Sequence, residues 1–181
     1  MQRPFVNIKN IVFLTFAFLI LTVPVFAAPD GMAISEPRNL PDIAFQDEHG
    51  QEVRLSAFKS KTVVLNLWAT WCAPCVTEML DLNALQKQRL EDKDIEIITV
   101  SMDSSIKKAE QFYKKAGIDA LPLYWDSTRS LGFDLGFNGL PATIIVNPGG
   151  LEVARVFGPL GWLDEEIEAF LLAIAGSSHG Q

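Results

Sequence analysis

Two continuous apolar segments predict β-strands that are buried on both faces. They are "TVVLNLW" (62–68) and "IEIITVSMD" (95–103), and both are rich in β-branched residues. Between them, residues 73–92 carry apolar side chains at helical spacing, which predicts a helix. These positions are Val76, Met79, Leu82, Leu85 and Leu90. The pattern therefore predicts a strand, a helix and a second strand in succession.

Weaker patterns on either side predict further elements. Residues 43–58 alternate loosely around His49 and Gly50, which indicates two short strands joined by a turn. A helix is predicted over 104–117, with a glycine at its end, and a shorter one over 126–137.

A hairpin and a last helix complete the pattern. Residues 141–157 predict two strands, because Asn-Pro-Gly-Gly at 147–150 is a turn sequence between two apolar runs. Residues 163–176 predict an amphipathic helix with acids in its first turn. This order of elements predicts an α/β fold with a mixed sheet. It places the two cysteines just past the carboxyl end of a buried strand, where such sheets tend to carry their sites.

Residues 1–27 have the pattern of a secretory signal. Arg3 and Lys9 lie in the first ten residues, which contain no acid, and a mostly apolar run follows over 11–28. Small residues close the run, so we predict cleavage after Ala27. An apolar run of about 18 residues also reaches the shortest length that spans a bilayer, so an uncleaved anchor is the alternative. Both outcomes predict a periplasmic domain.

The charge balance excludes some partners. Without residues 1–27, the chain keeps 13 of its 15 Lys and Arg residues and all 22 Asp and Glu residues, a net charge of −9. This excess of acid argues against nucleic acids and anionic lipid surfaces as partners. About 150 residues suffice for one domain, which we expect to be monomeric. The predicted division is a lead-in over 28–41, a domain over 42–175 and a flexible tail over 176–181.

Cys72 and Cys75 are the two cysteines of the chain, and three interpretations of the pair compete. A structural disulfide would close a loop of only four residues, which gains little because stabilisation grows with loop length. A zinc or copper site would need more ligands, and the two histidines, His49 and His179, lie in a predicted turn and in the tail. No metal or other cofactor is therefore predicted.

The third interpretation is a dithiol that cycles with a disulfide. Two cysteines three positions apart on the first turn of a helix have neighbouring side chains. The helix dipole and the unpaired N–H groups at the helix start lower the pKa of a thiol such as that of Cys72. Pro74 lacks an N–H group and is tolerated in a first turn. The spacing favours thiol–disulfide exchange over both other interpretations.

The segment "VVLNLWATWCAPCVTE" (63–78) resembles the active-site segment of thioredoxin-fold proteins, most of all that of the exported TlpA/ResA branch. The likeness covers about residues 40–175: residues 45–72 resemble the N-terminal hairpin and active-site strand of that branch, and 123–158 its later half. The resemblance implies a thioredoxin-like fold with a central mixed β-sheet flanked by helices and preceded by a short N-terminal β-hairpin. It also implies a thiol–disulfide oxidoreductase.

The resemblance assigns roles to individual residues. It implies that Cys72 is the exposed attacking thiol and Cys75 the buried resolving thiol. Pro141 would be the cis-proline that faces the disulfide, which leaves the backbone of Leu140 free to pair with an extended substrate segment. Trp71 would form part of the rim that a partner touches, and Trp68 would pack in the core.

Two positions near the cysteines bear on proton transfer. Thioredoxins proper carry a buried acid six residues before the first cysteine, where this chain has Asn66. The TlpA/ResA branch instead has a Glu three residues after the second cysteine, and Glu78 matches it. The resemblance implies that Glu78, one helical turn from Cys75, takes the Cys75 proton during resolution. A solvated helix acid is the alternative from spacing alone.

The resemblance implies a reductase of disulfides in exported proteins. The CAPC segment contains no His, and no basic residue is close to it, so we expect a moderately to strongly reducing couple. The implied partners are exported proteins with reducible cysteines, among them c-type apocytochromes, and an inner-membrane electron donor of the DsbD/CcdA type. The branch dedicated to cytochromes often has an acid after the cis-proline, where this chain has Ala142. A general periplasmic reductant is therefore an equal alternative.

Two other functions are alternatives. A peroxiredoxin would carry Pro-x-x-x-Thr-x-x-Cys, but Thr70 lies only two residues before Cys72 and an apolar strand residue takes the place of the Pro. A non-catalytic exported binding or chaperone module would keep the motif as a docking surface.

Overall fold

The computed structural model describes residues 28–88, 90 and 93–176. The predicted signal or anchor over 1–27 lies outside the described residues, as does His179 in the predicted tail. Within the described ranges, no helix has the length and apolar character needed to cross a membrane.

Eight strands form a single sheet with the order β1-β8-β7-β4-β5-β6-β2-β3. The sheet is mixed, as the sequence predicts. The strands are β1 (Met32–Asn39), β2 (Ala44–Asp47), β3 (Glu52–Arg54), β4 (Thr62–Trp68), β5 (Ile95–Ser101), β6 (Leu123–Trp125), β7 (Ala142–Val146) and β8 (Leu151–Phe157). Strands β4, β5 and β6 run parallel to one another, and the other neighbours are antiparallel.

The helices follow the predicted order. They are α1 (Ala73–Gln88), α2 (Ile106–Ala116), α3 (Leu131–Asp134) and α4 (Glu165–Gly176), with a 3-10 helix over Leu55–Phe58. Helix α2 ends where the glycine predicts, because Gly117 adopts a left-handed φ of 71° that costs little without a Cβ. Helix α3 is much shorter than the 126–137 segment predicted for it, because hydrogen-bonded turns occupy residues 126–130.

The segment predicted as an extended lead-in is in fact a sheet strand. Strand β1 pairs with β8 from Met32 opposite Val156 to Asn39 opposite Leu151. An ion pair between an exposed arginine and a buried glutamate joins the two strands, because the Arg38 guanidinium donates to Glu152 at 2.7 Å. Burial acts to raise the pKa of Glu152, but bonds from Arg155 and Arg38 outweigh it and hold that pKa below its usual value.

The sheet also contains a strand that the sequence pattern does not reveal. Strand β6 has only three residues, Leu123–Trp125, and pairs with both β5 and β2. Three residues are too few to show periodicity. The pairing with β2 joins the predicted hairpin of β2 and β3 to the rest of the sheet.

The sheet centre positions the two cysteines. Every residue of β4 and β7 is buried, as their continuous apolar runs predict. Because β7 is antiparallel to β4, with Ala142 opposite Leu67, the residue before β7 lies at the same edge as the residues after β4. Pro141 therefore precedes β7 at the edge where Cys72 and Cys75 follow β4.

Candidate redox site

Cys72 and Cys75 form a disulfide at the start of α1, with an S–S distance of 2.07 Å. The Cys72 carbonyl oxygen accepts the Val76 N–H at 3.1 Å, and Cys72 Sγ accepts the Cys75 N–H at 3.3 Å. This sulfur thus takes the place of a helix-capping acceptor. A thiolate of Cys72 at the same place would be stabilised by that N–H group and by the positive end of the helix dipole.

The two sulfur-bearing side chains differ less in exposure than predicted. Cys72 is 7% exposed and Cys75 is 1% exposed. Cys72 is therefore not the exposed thiol that the resemblance implies, although it remains the more accessible of the two. Neighbouring groups therefore cover most of Cys72 in the disulfide form.

The loop between β4 and α1 is held by an acid that sequence reasoning missed. Asp103, which is fully buried just beyond β5, accepts the Thr70 N–H at 3.0 Å and the Thr70 hydroxyl at 2.7 Å. It also accepts the Ser101 hydroxyl at 3.0 Å. The sequence contained a signal for this contact. Asp103 directly follows the apolar run of β5, and in a parallel sheet the residues after β5 lie beside the loop that follows β4.

The proline loop lies at the same edge of the sheet. The Leu140–Pro141 peptide bond is cis, and the Pro141 carbonyl oxygen accepts the Gly158 N–H at 3.0 Å. Leu140 and Trp71, which precede the proline and the first cysteine, line one groove together.

That groove, which we call the client groove, has a volume of about 470 Å³. Its large apolar side chains are Trp71, Met102, Phe137 and Leu140, and Arg129 lies at its wall. Trp71 is 67% exposed, so it forms part of the rim, whereas Trp68 is buried and stacks on Tyr113.

Glu78 is buried, so the alternative of a solvated helix acid is wrong. Only 3% of it is exposed, and the Trp162 indole N–H donates to its Oε1. Its Oε2 is buried with no hydrogen-bond partner among the described residues. Burial raises the pKa of Glu78 to about 7, although the bond from Trp162 favours the ionised form. This carboxyl group can therefore hold or release a proton near neutral pH.

Two further buried residues with polar groups, Trp162 and Asn66, form hydrogen bonds near the cysteines and Glu78. Trp162 is fully buried in the segment before α4, and no local pattern in the sequence links it to Glu78. Asn66 is buried in β4 and donates its side-chain N–H to the Thr143 hydroxyl at 3.0 Å, which ties β4 to β7.

The described residues contain no group of three or more His, Cys, Asp and Glu side chains that could hold a metal ion. His49 lies in the exposed turn between β2 and β3, where its ring is 3.7 Å from the Glu48 carboxylate. The candidate reacting groups of this site are Cys72, Cys75 and the buried Glu78.

Comparisons with known proteins agree with this chemistry. The sequence model of the AhpC/TSA family matches residues 38–153. Thiol-disulfide oxidoreductase ResA of Bacillus subtilis is 32% identical over 136 residues, which cover 75% of this chain and 74% of ResA. Thiol:disulfide interchange protein DsbE of Vibrio cholerae is 31% identical over 156 residues, with coverage of 79% and 82%.

A solved structure supports the fold. A crystal structure described as a thiol:disulfide interchange protein DsbE, from Chlorobium tepidum, superposes with a TM-score of 0.69. The match has 24% identity and covers 80% of this chain and 100% of that one. At this identity the likeness supports the fold alone.

Proposed function

Because the chain belongs to the AhpC/TSA family and is a thiol–disulfide oxidoreductase similar to ResA and DsbE, we propose that it reduces disulfides of exported proteins in the periplasm. The observation that carries the proposal is the place of the Cys72 sulfur, which accepts an N–H bond at the start of α1 and is more accessible than Cys75. This is the arrangement that favours a nucleophilic thiolate.

The reaction proceeds in two exchange steps. The Cys72 thiolate attacks a client disulfide, which forms a Cys72–client mixed disulfide and releases one client thiolate. The Cys75 thiolate then attacks the Cys72 sulfur, which forms the Cys72–Cys75 disulfide and releases the second client thiolate. Two electrons pass to the client, whose two thiolates then take up protons, and the protein is left oxidised.

Glu78 assists the second step. Cys75 has to lose its proton before it attacks, and Glu78 lies one helical turn further along α1. A carboxyl group with a pKa of about 7 is matched to taking up that proton near neutral pH.

The client binds beside the disulfide. An extended client segment pairs with the backbone of Leu140, next to Pro141, and contacts Trp71 at the rim of the client groove. This backbone pairing is the way in which peptides add to an exposed strand edge.

An electron donor has to restore the dithiol after each cycle. We assign this role to an inner-membrane dithiol carrier of the DsbD/CcdA type, because the protein ends each reduction as a disulfide.

The clients are exported proteins with reducible cysteines, either c-type apocytochromes or a wider set. Capture of clients by the Cys75→Ser variant in its native periplasm, followed by mass spectrometry, distinguishes these two.

The direct test uses two cysteine variants and insulin or another disulfide protein as substrate. Cys72→Ser abolishes reduction, because no attacking thiol remains. Cys75→Ser attacks once and accumulates a mixed disulfide, which appears on a non-reducing gel. If both variants reduce the substrate at the wild-type rate, the proposed function is wrong.

A further inference from the structure

The client groove carries one charge in its wall. Among the described residues that line it, Arg129 is the charged one, and the others are apolar or small and polar. Without residues 1–27 the chain has a net charge of −9, so its overall charge repels an acidic partner at long range. The groove wall therefore carries a positive charge in a protein whose net charge is negative.

The loop that carries Arg129 is fixed by a buried acid. Asp126 is 3% exposed and accepts the backbone N–H groups of Thr128 at 2.8 Å and Leu131 at 2.9 Å. Arg129 itself has a φ of 60°, in the left-handed region that residues other than glycine seldom adopt. The loop is thus built to hold this residue in an uncommon backbone conformation at the groove.

The guanidinium of Arg129 is available to a ligand, unlike that of the nearby Arg155. Arg155 is bound to both oxygens of Glu152 and lies 4.9 Å from the centre of the Phe137 ring, which it helps to position. Arg129 is exposed, and no ion pair or hydrogen bond holds its guanidinium in the part of the chain that the structure describes. A guanidinium presents a planar fork of donors that matches a carboxylate.

We propose that Arg129 selects clients in which an acidic side chain lies close to the reacting cysteine. The client segment is extended, places a large apolar side chain among Trp71, Phe137 and Leu140, and sets its carboxylate on Arg129. This inference rests on the proposed function and specifies its substrate class.

The experiment uses peptides that contain a disulfide and a fixed Phe beside one cysteine. Glu, Gln or Lys is placed in turn at each position from three before to three after that cysteine. The reduced protein is mixed with each peptide, and the single-turnover rate is followed by quenching and mass spectrometry.

At one or two positions, the wild type is expected to reduce the Glu peptide about three- to fivefold faster than the Gln peptide, which is the range of an exposed ion pair. At the same positions it reduces the Lys peptide more slowly than the Gln peptide. Arg129→Gln reduces the Glu-to-Gln ratio to below about twofold, and Arg129→Glu inverts the preference in favour of Lys. The wild-type preference weakens at high salt. Lys59→Gln removes the same charge from a surface outside the client groove, and keeps the wild-type preference.

Two results overturn the inference: equal rates for Glu and Lys at every position in the wild type, or a Glu preference that persists in Arg129→Gln. A neutral substrate, bis(2-hydroxyethyl) disulfide, separates this failure from a failure of the proposed function. If the wild type reduces it without any charge preference among the peptides, only the role of Arg129 is wrong. If the wild type reduces neither substrate, the proposed function is wrong as well.

Discussion

At the scale of single residues, burial separates the roles of the reacting groups. Cys72 has the larger exposed fraction and the N–H bond to its sulfur, whereas Cys75 and Glu78 are enclosed. Trp162 donates a hydrogen bond to the Glu78 carboxylate, which makes Trp162 a positioning residue for this acid. The enclosure of Glu78 is consistent with the proposed transfer of a proton from Cys75 to this acid.

Glu78→Gln is expected to slow resolution without slowing attack. Gln cannot accept the Cys75 proton, so release of a mixed disulfide slows, whereas the N–H bond and helix dipole at Cys72 are unchanged. Iodoacetamide alkylation of Cys72 measures attack and stays within a few-fold of wild type. Equal losses in both steps, or a loss in neither, would remove Glu78 from the mechanism.

The same substitution changes how stability depends on pH. The pKa of Glu78 is about 7 in the folded protein and about 4.5 when unfolded, so the unfolded chain loses this proton first as pH rises. The contribution of Glu78 is fully present below about pH 4.5 and is lost as pH rises through about 7, a loss of about 3 kcal/mol. Glu78→Gln lacks this dependence.

Urea unfolding of the oxidised protein between pH 4.5 and 8 measures the effect. The difference in unfolding free energy between wild type and Glu78→Gln is expected to shift by about 3 kcal/mol across this range. Glu110→Gln, on the exposed surface of α2, is the matched control and shows no comparable shift. A constant difference for Glu78→Gln would contradict the raised pKa.

At the scale of elements, the parallel pair β4 and β5 builds the site. Trp68 lies opposite Ser101 at the end of the pair, so the residues that follow both strands meet at one edge. Asp103 therefore fixes the loop before α1 through two donors of Thr70, and it also accepts a hydrogen bond from Ser101 in β5. The disulfide therefore rests on a loop that is held from the neighbouring strand.

Asp103→Ala is expected to destabilise the protein by about 2–3 kcal/mol, because it leaves the partly buried donors of Thr70 and the buried hydroxyl of Ser101 without this acceptor. Thr70→Val removes only the hydroxyl bond and costs about 1 kcal/mol, which makes it the graded comparison. Thermal unfolding measures both variants, and hydrogen exchange at the Thr70 amide becomes faster in Asp103→Ala alone. Unchanged exchange there would show that Asp103 does not hold the loop.

At the scale of the whole molecule, the features that bear on possible partners and on export are the sheet edges, the net charge and the segment before β1. Strand β1 lies at one edge of the sheet and β3 at the other, and β1 begins only a few residues after the predicted cleavage site. The large excess of acid argues against anionic surfaces as partners. Export through the segment before β1 is the remaining expectation at this scale.

Expression of the full chain in a bacterium with a periplasm tests that expectation. The periplasmic protein is expected to begin at Ala28, because cleavage follows Ala27, and intact-mass spectrometry identifies the new terminus. The control is a chain with Val25→Arg and Ala27→Arg, which blocks cleavage and stays in the membrane fraction. Recovery of uncleaved wild type from membranes would instead indicate an anchor.

Local patterns in the sequence were sufficient for the central part of this fold. Continuous apolar runs identify β4 and β5, helical spacing identifies α1, and the short interval between Cys72 and Cys75 indicates exchange chemistry. These inferences succeed because each depends on residues that are neighbours along the chain. The hairpin of β2 and β3 and the end of α2 at Gly117 were predictable for the same reason.

Only the tertiary structure decided which distant groups meet. Trp162 and Glu78 are 84 residues apart in the sequence, Asp103 and Thr70 are 33 apart, and the Arg38 and Glu152 pair that joins β1 to β8 spans 114. The small exposed fraction of Cys72 and the burial that raises the pKa of Glu78 also depend on packing between elements that are distant in the sequence. Strand order and packing bring such groups together, and neither periodicity nor motif spacing records them, since both describe only the few residues on either side.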